Sequence, residues 1–143
     1  MTTHQESSEQ LLKKRGLRRT QARKRILDLF INEERALSKQ DIEEELASMD
    51  RITLYRTLKS FENSGLIHEA IDGTALTKYA LCEEHCTDEE HQHNHAHFHC
   101  VKCGITFCVD QVHIPKVSTP KDLVIKDVEL VLRGLCEGCS VQA

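Results

Sequence analysis

The chain has 143 residues, a formal net charge of −4 and a hydrophobic content of 39%. This length suits one ordinary domain or two small ones, and with no Trp and only 4% aromatic residues each core must be small and aliphatic. No apolar run approaches the roughly 18 residues of a membrane span, and the polar N-terminus lacks a signal-peptide pattern, so we expect a cytoplasmic protein that contacts no membrane.

Positive charge is concentrated near the N-terminus. Residues 1–65 carry 13 Lys and Arg against 11 Asp and Glu, whereas residues 66–143 carry 6 against 12. Eight basic residues and no acidic residue lie between Gln10 and Arg25. Such a block is typical of a surface that meets phosphate, so we expect the N-terminal half to bind nucleic acid.

The first two predicted elements are helices. Residues 6–15 have a helical composition, and Gly16 is expected to end that helix. Thr20 is a suitable N-cap for a second helix, in which apolar residues recur at spacings of three and four up to Phe30.

Two further helices follow. Ser38 reads as an N-cap with Asp41 three residues later, a loose form of the capping box, and this helix is expected to reach about Ala47. Asp50 is expected to cap the helix "RITLYRTLKSFEN", and Gly65 to end it.

Two strand-like runs, "LIHEAI" and "LTKYALC", come next, and Asp72-Gly73 between them is a strong hairpin signal. A three-helix unit followed by a hairpin predicts a winged helix-turn-helix. Its last helix, from Arg51 to Asn63, would enter the major groove of DNA. The residues expected to contact bases and backbone from this helix are Arg51, Thr53, Tyr55 and Arg56, and those expected to hold phosphate from the basic block are Lys14, Arg15, Arg18 and Arg19.

The second half reads as a small sheet behind a linker. The stretch from Cys82 to Ala96 is acidic and rich in His and Cys, without a hydrophobic period. The runs "HFHCV", "ITFCVD" and "LVIKDVELVLRGLC" then predict strands, interrupted at Pro115 and Pro120. We therefore expect an α+β fold with a winged-helix domain, a metal-rich linker and a small α/β domain, spanning residues 1–81, 82–96 and 97–143.

Two CxxC units, about 33 residues apart, predict a structural zinc site. Each unit places two thiolates on a tight turn, and two units complete a tetrahedral sulfur shell that suits Zn²⁺. The ligands would be Cys100, Cys103, Cys136 and Cys139. The alternative is a redox-active CxxC pair or free thiols.

Several motifs together resemble landmarks of the ferric uptake regulator (Fur) superfamily, in that family's order, from about residue 11 to residue 139. They are "GLRRTQARKRIL", "SKQDIEEEL", "TLYRTLKSFENSGLIH", "HFHCVKCG" and "LVLRGLCEGC". The resemblance implies a homodimeric, metal-dependent repressor with an N-terminal winged helix and a C-terminal α/β dimerisation domain.

The resemblance also implies a regulatory metal site. Two family ligands correspond to His95 and His97, while the position that holds Asp in iron-type members is Ala96. The closest similarity is to the zinc uptake regulator (Zur) branch, which implies two more ligands, His68 in "GLIH" and Cys82 in "YALC". A His/Cys shell is softer than a His/carboxylate shell and favours Zn²⁺ over Fe²⁺ and Mn²⁺, although another divalent transition metal remains an alternative.

Other His and Cys residues are weaker ligand candidates. Cys108 stands where related proteins have an acidic ligand, and it is either a further thiolate ligand or a buried strand residue. His93 and His113 could join the regulatory site or a secondary one. No role is assigned to His85, Cys86, His91 and His99.

These observations predict a zinc-responsive repressor of metal-uptake and homeostasis genes, which binds a pseudo-palindromic double-stranded DNA operator as a homodimer. An iron- or peroxide-responsive regulator is the alternative within the same class. A metalloenzyme is disfavoured because H-E-x-x-H and a phosphate loop are absent from the sequence. A zinc buffer that uses the His tract is the third possibility.

Overall fold

The computed structural model describes residues 6–81, 96–109, 115–126 and 128–141. Over these residues the chain forms five helices, α1 (Ser8–Lys14), α2 (Gln21–Glu33), α3 (Lys39–Glu45), α4 (Arg51–Asn63) and α5 (Glu137–Ser140). The strands are β1 (Leu37–Ser38), β2 (Ile67–Glu69), β3 (Lys78–Leu81), β4 (Ala96–Cys100), β5 (Thr106–Val109) and β6 (Leu130–Gly134).

Side-chain caps set the starts of the longer helices, as predicted. Thr20 Oγ1 accepts a hydrogen bond from the backbone N–H of Arg23 at 3.2 Å, at the start of α2. At α3, Ser38 and Asp41 form a reciprocal capping box, with bonds of 3.1 and 3.0 Å, so a shorter acid replaces the usual Glu. The Asp50 carboxylate accepts from the first turn of α4 at 3.2 Å.

Helix α4 ends at the predicted glycine. Gly65 has φ +76°, a left-handed conformation that only glycine adopts without strain. The N–H of Leu66 then bonds to the carbonyl of Phe61 at 2.9 Å, which completes a Schellman-type C-cap.

The N-terminal half packs around one aliphatic core. Helices α1 to α4 contribute its centre, and the wing strands close one side of it. The deepest side chains, each at most 2% exposed, include Ile26, Phe30, Leu54 and Phe61. Leu54, Leu58 and Phe61 form the apolar stripe predicted for α4, which leaves the opposite face of that helix to solvent.

The wing sheet has the order β1-β3-β2, with all pairs antiparallel. The hairpin predicted from Asp72-Gly73 is confirmed. The last backbone bond of the ladder joins Ala70 N–H to the Lys78 carbonyl at 2.8 Å, so residues 71–77 form the connecting loop. Within this loop the Asp72 side chain accepts a hydrogen bond from the backbone N–H of Thr74 at 2.9 Å.

The C-terminal sheet has the order β5-β4-β6, with β4 antiparallel to β5 and parallel to β6. The strand predicted over residues 123–136 is present only as β6, and residues 121–126 are exposed outside any strand. Strand β4 begins at Ala96, the last residue of the predicted linker. The rest of that linker lies outside the described residues, so the domain boundaries stay a prediction.

Residue alternation gives the C-terminal sheet two faces. Registers pair His97 with Cys108 and His99 with Thr106, so these four side chains share a face. On β6, Arg133 pairs with His99, so its side chain lies on the same face. This face meets the wing, since Cys108 Sγ lies 3.4 Å from Nε2 of His68 in β2. At the edge of the sheet, the N–H of Ala36, just before β1, donates to the carbonyl of Thr106 at 2.7 Å. Among the described residues, no helix has the length and apolar character needed to span a bilayer.

Candidate metal centres and DNA-binding surface

The two CxxC units meet at the end of the C-terminal sheet. Cys100 ends β4, and parallel pairing sets it level with Gly134, two residues before Cys136. The turn after Cys100 is closed by a bond from Gly104 N–H to its carbonyl at 3.0 Å, with Gly104 at φ +81°. Helix α5, which the sequence did not predict, carries Cys139 back toward the turn.

The four thiols fit a tetrahedral ion. Their sulfur atoms all lie within 4.8 Å of one another. The Sγ atoms of Cys103 and Cys136 are 3.8 Å apart. Tetrahedral zinc with bonds of about 2.3 Å separates its sulfur ligands by about 3.8 Å. The arrangement therefore matches a closed four-sulfur zinc shell.

The surroundings of these thiols shift their pKa values in opposite directions. Backbone N–H groups of Cys103 and Cys136 point at Cys100 and lower its pKa to about 5. Neighbouring thiols and burial raise the pKa of Cys139 to about 12. Thiolate character at Cys100 favours metal coordination, since the thiolate is the ligand form of cysteine.

A second cluster lies where the wing meets the C-terminal sheet. His68 comes from β2, His97 from β4 and Cys108 from β5, and their donor atoms all lie within 4.8 Å of one another. The Nε2 atoms of the two histidines are 3.4 Å apart, and Cys108 Sγ is 3.4 Å from His68 Nε2. Zinc bonds of about 2.0–2.3 Å in a tetrahedron separate ligand atoms by about 3.3–3.7 Å.

Burial and a nearby carboxylate support the second cluster as a site. His68 and His97 are 5% and 1% exposed, which is unusual for imidazoles without a structural or ligand role. A carboxylate oxygen of Glu129 lies 3.8 Å from Nδ1 of His97, the nitrogen opposite the cluster. At that distance the carboxylate is an electrostatic neighbour of the imidazole, beyond hydrogen-bond reach.

Of the predicted regulatory ligands, the structure brings together His68 and His97, and it adds Cys108, a weaker candidate from the sequence. The remaining predicted ligands lie outside the described residues. They are Cys82, directly after Leu81 at the end of β3, His95, directly before Ala96 at the start of β4, His93 and His113.

The exposed face of α4 carries the residues predicted to read DNA. Arg51, Thr53, Tyr55 and Arg56 are all exposed. The Thr53 hydroxyl donates to the Asp50 cap at 3.3 Å. Tyr55 is also held locally, because its hydroxyl donates to Glu43 and the ammonium of Lys39 lies 5.5 Å from its ring centroid. This hydrogen bond raises the pKa of Tyr55.

The basic block flanks the same surface. Arg18 is exposed, while Lys14 and Arg19 form ion pairs with Glu6 and Glu9. The half-buried Arg15 guanidinium donates to the Ser64 carbonyl at 3.5 Å, at the end of α4. A shallow open groove follows this junction, lined by Leu17, Arg56, Lys59, Ser60, Asn63 and Ser64.

A third cluster, of polar residues, was not predicted. Asp72 in the wing loop is 2% exposed and contacts both Lys78 in the wing and Thr106 in the C-terminal sheet. His99 joins it through a 2.9 Å contact between its Nδ1 and Thr106 Oγ1. From its sequence context Asp72 was predicted only to mark a hairpin, because its partners His99 and Thr106 are 27 and 34 residues away, in β4 and β5.

The fold is a winged helix whose wing supplies one imidazole to a cluster, and the C-terminal sheet supplies a second imidazole and a thiol. This is the architecture of a metal-responsive transcription regulator. The model of the ferric uptake regulator family matches residues 14–132. The chain therefore belongs to the ferric uptake regulator family, whose members are metal-binding, DNA-binding transcription regulators.

Curated relatives agree with this assignment, and solved structures share the fold. The ferric uptake regulation protein of Staphylococcus epidermidis is 32% identical over 141 residues, covering 93% of this chain and 94% of the relative. That of Staphylococcus aureus strain Mu50 is 33% identical over 136 residues, covering 90% and 93%. A zinc uptake regulator complexed with zinc and DNA superposes with a TM-score of 0.63 at 21% identity, covering 94% of this chain and 91% of that one.

A zinc-bound manganese uptake regulator also shares the fold, with a TM-score of 0.56 at 21% identity, covering 91% of this chain and 100% of that one. These proteins are named for iron, zinc and manganese. The choice of metal in this chain therefore rests on its own ligands.

Proposed function

We propose that the protein is a zinc-responsive repressor of metal-uptake and homeostasis genes, which binds operator DNA as a homodimer. The observation that carries the proposal is the cluster of His68, His97 and Cys108. Its donors come from two parts of the fold, the wing and the C-terminal sheet. A ligand that needs both parts is suited to control the angle between them.

The donor set favours zinc. Two imidazoles and a thiol form a borderline-to-soft shell, whereas Fe²⁺ and Mn²⁺ prefer shells with carboxylates. Three donors leave one tetrahedral position, for which Cys82 and His95 are the candidates, since each directly adjoins a strand that contributes to the junction. His93 and His113 remain further candidates for the same site or a secondary one. A bound ion would supply a fixed cross-link between the donors.

The four-cysteine site is proposed as structural zinc. Four thiolates leave no open coordination position, so its role would be to hold α5 and the end of β6 against the turn after β4. Metal-binding energy at such a site acts as folding energy.

DNA recognition is proposed for the exposed face of α4. Arg51, Thr53, Tyr55 and Arg56 would enter the major groove and contact bases and the adjoining backbone. Lys14, Arg15, Arg18 and Arg19 would contact phosphates beside the groove. Two copies of α4 in a dimer would read half-sites about 34–36 Å apart, which predicts a pseudo-palindromic operator.

An apolar surface on the C-terminal sheet supports the homodimer. The rings of Phe98 and Phe107 pack with centroids 5.3 Å apart on the face that does not meet the wing, and both are only half-buried. Leu132 pairs with Phe98 in the ladder, shares this face and is exposed. Four apolar residues in the segment before β6 are exposed as well, Val117, Leu123, Val124 and Ile125. A second copy of the chain would cover an apolar area of this kind.

The metal dependence would follow from a population shift. Ligands on both parts of the junction favour the arrangement in which His68 faces His97. If only that arrangement matches DNA, then apparent DNA affinity rises with the fraction of molecules in it.

A DNA-binding titration tests the proposal. Operator DNA would be selected from a randomised library at saturating zinc, and its fluorescence anisotropy followed at buffered free zinc concentrations. Wild type should bind in a zinc-dependent manner, and His68→Ala should lose that dependence. Glu69→Ala is the matched control, because Glu69 is the next residue of β2 and is exposed. Zinc-independent binding by wild type would refute the function, and an unchanged response in His68→Ala would refute the site.

An iron-responsive regulator is the second candidate. It is favoured by the 32–33% identity to ferric uptake regulation proteins over most of the chain. Affinity in vitro separates the two poorly, because zinc outcompetes iron at most nitrogen and sulfur sites. Transcript levels of the regulated genes in cells starved of zinc or of iron distinguish them.

A further inference from the structure

In the polar cluster between the wing and the C-terminal sheet, the two carboxylate oxygens of Asp72 accept hydrogen bonds from different parts of the fold. Oδ1 of Asp72 accepts bonds within the wing loop, from the N–H of Thr74 at 2.9 Å and its hydroxyl at 2.6 Å. Oδ2 faces the sheet and accepts from the Thr106 hydroxyl at 2.8 Å. The loop is thus tied internally by one oxygen and to the other half of the chain by the second.

Lys78 also contacts Oδ2 of Asp72. Its ammonium lies 2.9 Å from Asp72 Oδ2 and donates to Thr106 Oγ1 and to the Gly104 carbonyl, both at 3.1 Å. Gly104 directly follows Cys103 of the four-cysteine site. All three hydrogen-bonding positions of the ammonium are therefore used, which is the condition under which a buried ion pair is tolerated.

Two further contacts hold the same junction. The Arg133 guanidinium covers Gly73 and donates to its carbonyl at 3.3 Å. A Cβ at Gly73 would lie 1.8 Å from Arg133 Nη2, so this close approach requires glycine or displacement of the arginine. The bond from Ala36 N–H to the Thr106 carbonyl crosses the junction as well, at 2.7 Å.

The cluster is next to the candidate regulatory site. Thr106 and Cys108 are two residues apart on β5 and share a face, and His99 and His97 have the same relation on β4. On the wing side, Lys78 begins β3, the strand that pairs with β2 and therefore with His68.

We propose that Asp72, Lys78 and Thr106 form a metal-independent latch that docks the wing on the C-terminal sheet and so positions His68 for the ion. The proposal rests on the proposed regulatory site, and the three residues are positioning residues with no contact to the ion. A docked wing presents its imidazole already 3.4 Å from that of His97. Weaker docking lowers the competent population and hence the apparent metal affinity.

A matched pair of valine substitutions tests the latch. Thr106→Val and Thr74→Val each remove one hydroxyl donor to the Asp72 carboxylate, but only Thr106 lies across the junction. Zinc affinity of the second site would be measured by competition with a fluorescent chelator in protein that retains the four-cysteine zinc. We expect Thr106→Val to bind about tenfold more weakly and Thr74→Val to stay within about twofold of wild type.

Amide exchange provides a readout independent of metal affinity. In protein without the second ion, the Ala36 amide should exchange faster in Thr106→Val than in wild type or Thr74→Val. Equal affinities and equal Ala36 exchange in the two variants would overturn the latch. If Thr106→Val loses the four-cysteine zinc, Lys78→Met tests the same bridge from the wing, and wild-type Ala36 exchange in that variant would overturn it too.

The two proposals fail in different ways. A wild-type chain that takes up no second zinc refutes the regulatory site, and Ala36 exchange then decides the latch alone. If wild type binds the second zinc and Thr106→Val has the same zinc affinity and the same Ala36 amide exchange as wild type, only the latch is refuted.

Discussion

His68 and His97 face each other across the junction between the wing and the C-terminal sheet, with Nε2 atoms 3.4 Å apart. The rings are tilted by 32°, and their centroids are 5.5 Å apart. Two nearly buried imidazoles with nitrogens at this spacing repel each other if both are protonated. An ion shared between them and the thiolate of Cys108 would remove that repulsion and would link the two halves of the fold.

The thiol of the second cluster is expected to set its metal preference. Cys108→Ser replaces a soft ligand by a hard one, so zinc affinity should fall by about tenfold or more while manganese affinity changes little. Competition titrations with both metals give the ratio. The four-cysteine zinc should remain in place and serves as an internal control. A zinc-to-manganese ratio equal to that of wild type would argue against Cys108 as a ligand.

Removing one thiol from the CxxC pair should destabilise the C-terminal sheet. Cys136→Ser is expected to lose one zinc per chain and to lower Tm by about 10 °C or more, since the proposed metal would hold α5 to the turn after β4. Metal analysis and calorimetry measure both effects. Ser140→Ala is the matched control, because Ser140 lies in α5, the helix that Cys136 precedes, and the change removes only a 3.0 Å bond to the Glu137 carbonyl. Equal Tm values for the two variants would contradict a structural role.

The exposed cations of α4 should contribute to the salt dependence of DNA binding. Loss of one phosphate contact in Arg56→Ala is expected to reduce the slope of log K against log salt by about 0.9. Anisotropy titrations at several salt concentrations give the slope. Arg35→Ala serves as the control for lost charge, because Arg35 pairs with Glu33 and Asp41 in the loop before β1. Identical slopes in the two variants would place Arg56 away from the DNA backbone.

The wing-loop carboxylate should give a pH-dependent contribution to stability. Burial raises the pKa of Asp72, but hydrogen bonds from Thr74, Lys78 and Thr106 outweigh this and hold it well below the ordinary 3.8. A carboxyl with a lowered folded-state pKa contributes stability that is fully present above its unfolded pKa and is lost as the pH falls through its folded pKa.

Asp72→Asn should therefore cost about 3 kcal/mol or more near neutral pH, where it leaves Lys78 without its counter-charge. The difference in unfolding free energy from wild type should stay constant above about pH 5 and narrow below pH 4. Urea unfolding of both proteins across this range measures it. A difference that does not change with pH would mean that the Asp72 charge does not stabilise the fold.

Local sequence signals predicted the N-terminal half well. The starts of α2, α3 and α4 follow from the side chains of Thr20, Ser38 and Asp50, which act within three residues. Signals of this kind are readable because cap and first turn are adjacent in the chain. Each CxxC unit was recognisable for the same reason, and the chemistry of zinc, which needs four ligands, indicated that the two units combine.

Features that depend on distant partners were not predictable. Strand β1 has two residues, too few to show a period, and exists because Leu37 and Ser38 pair with β3. The Asp72-Gly73 sequence indicated the hairpin, but the contact of Asp72 with β5 could not be read from it, because Thr106 lies 34 residues away. Cys108 was only a weak ligand candidate until strand register placed it opposite His97.

The most direct test of the account is anomalous diffraction at the zinc edge from crystals of the zinc-saturated protein. We expect one peak among the four cysteine sulfurs and a second within about 2.0–2.3 Å of His68 Nε2, His97 Nε2 and Cys108 Sγ, joining the wing to the C-terminal sheet. A second peak whose ligands all come from one side of that junction, or no second peak, would contradict control of the wing by a shared ion.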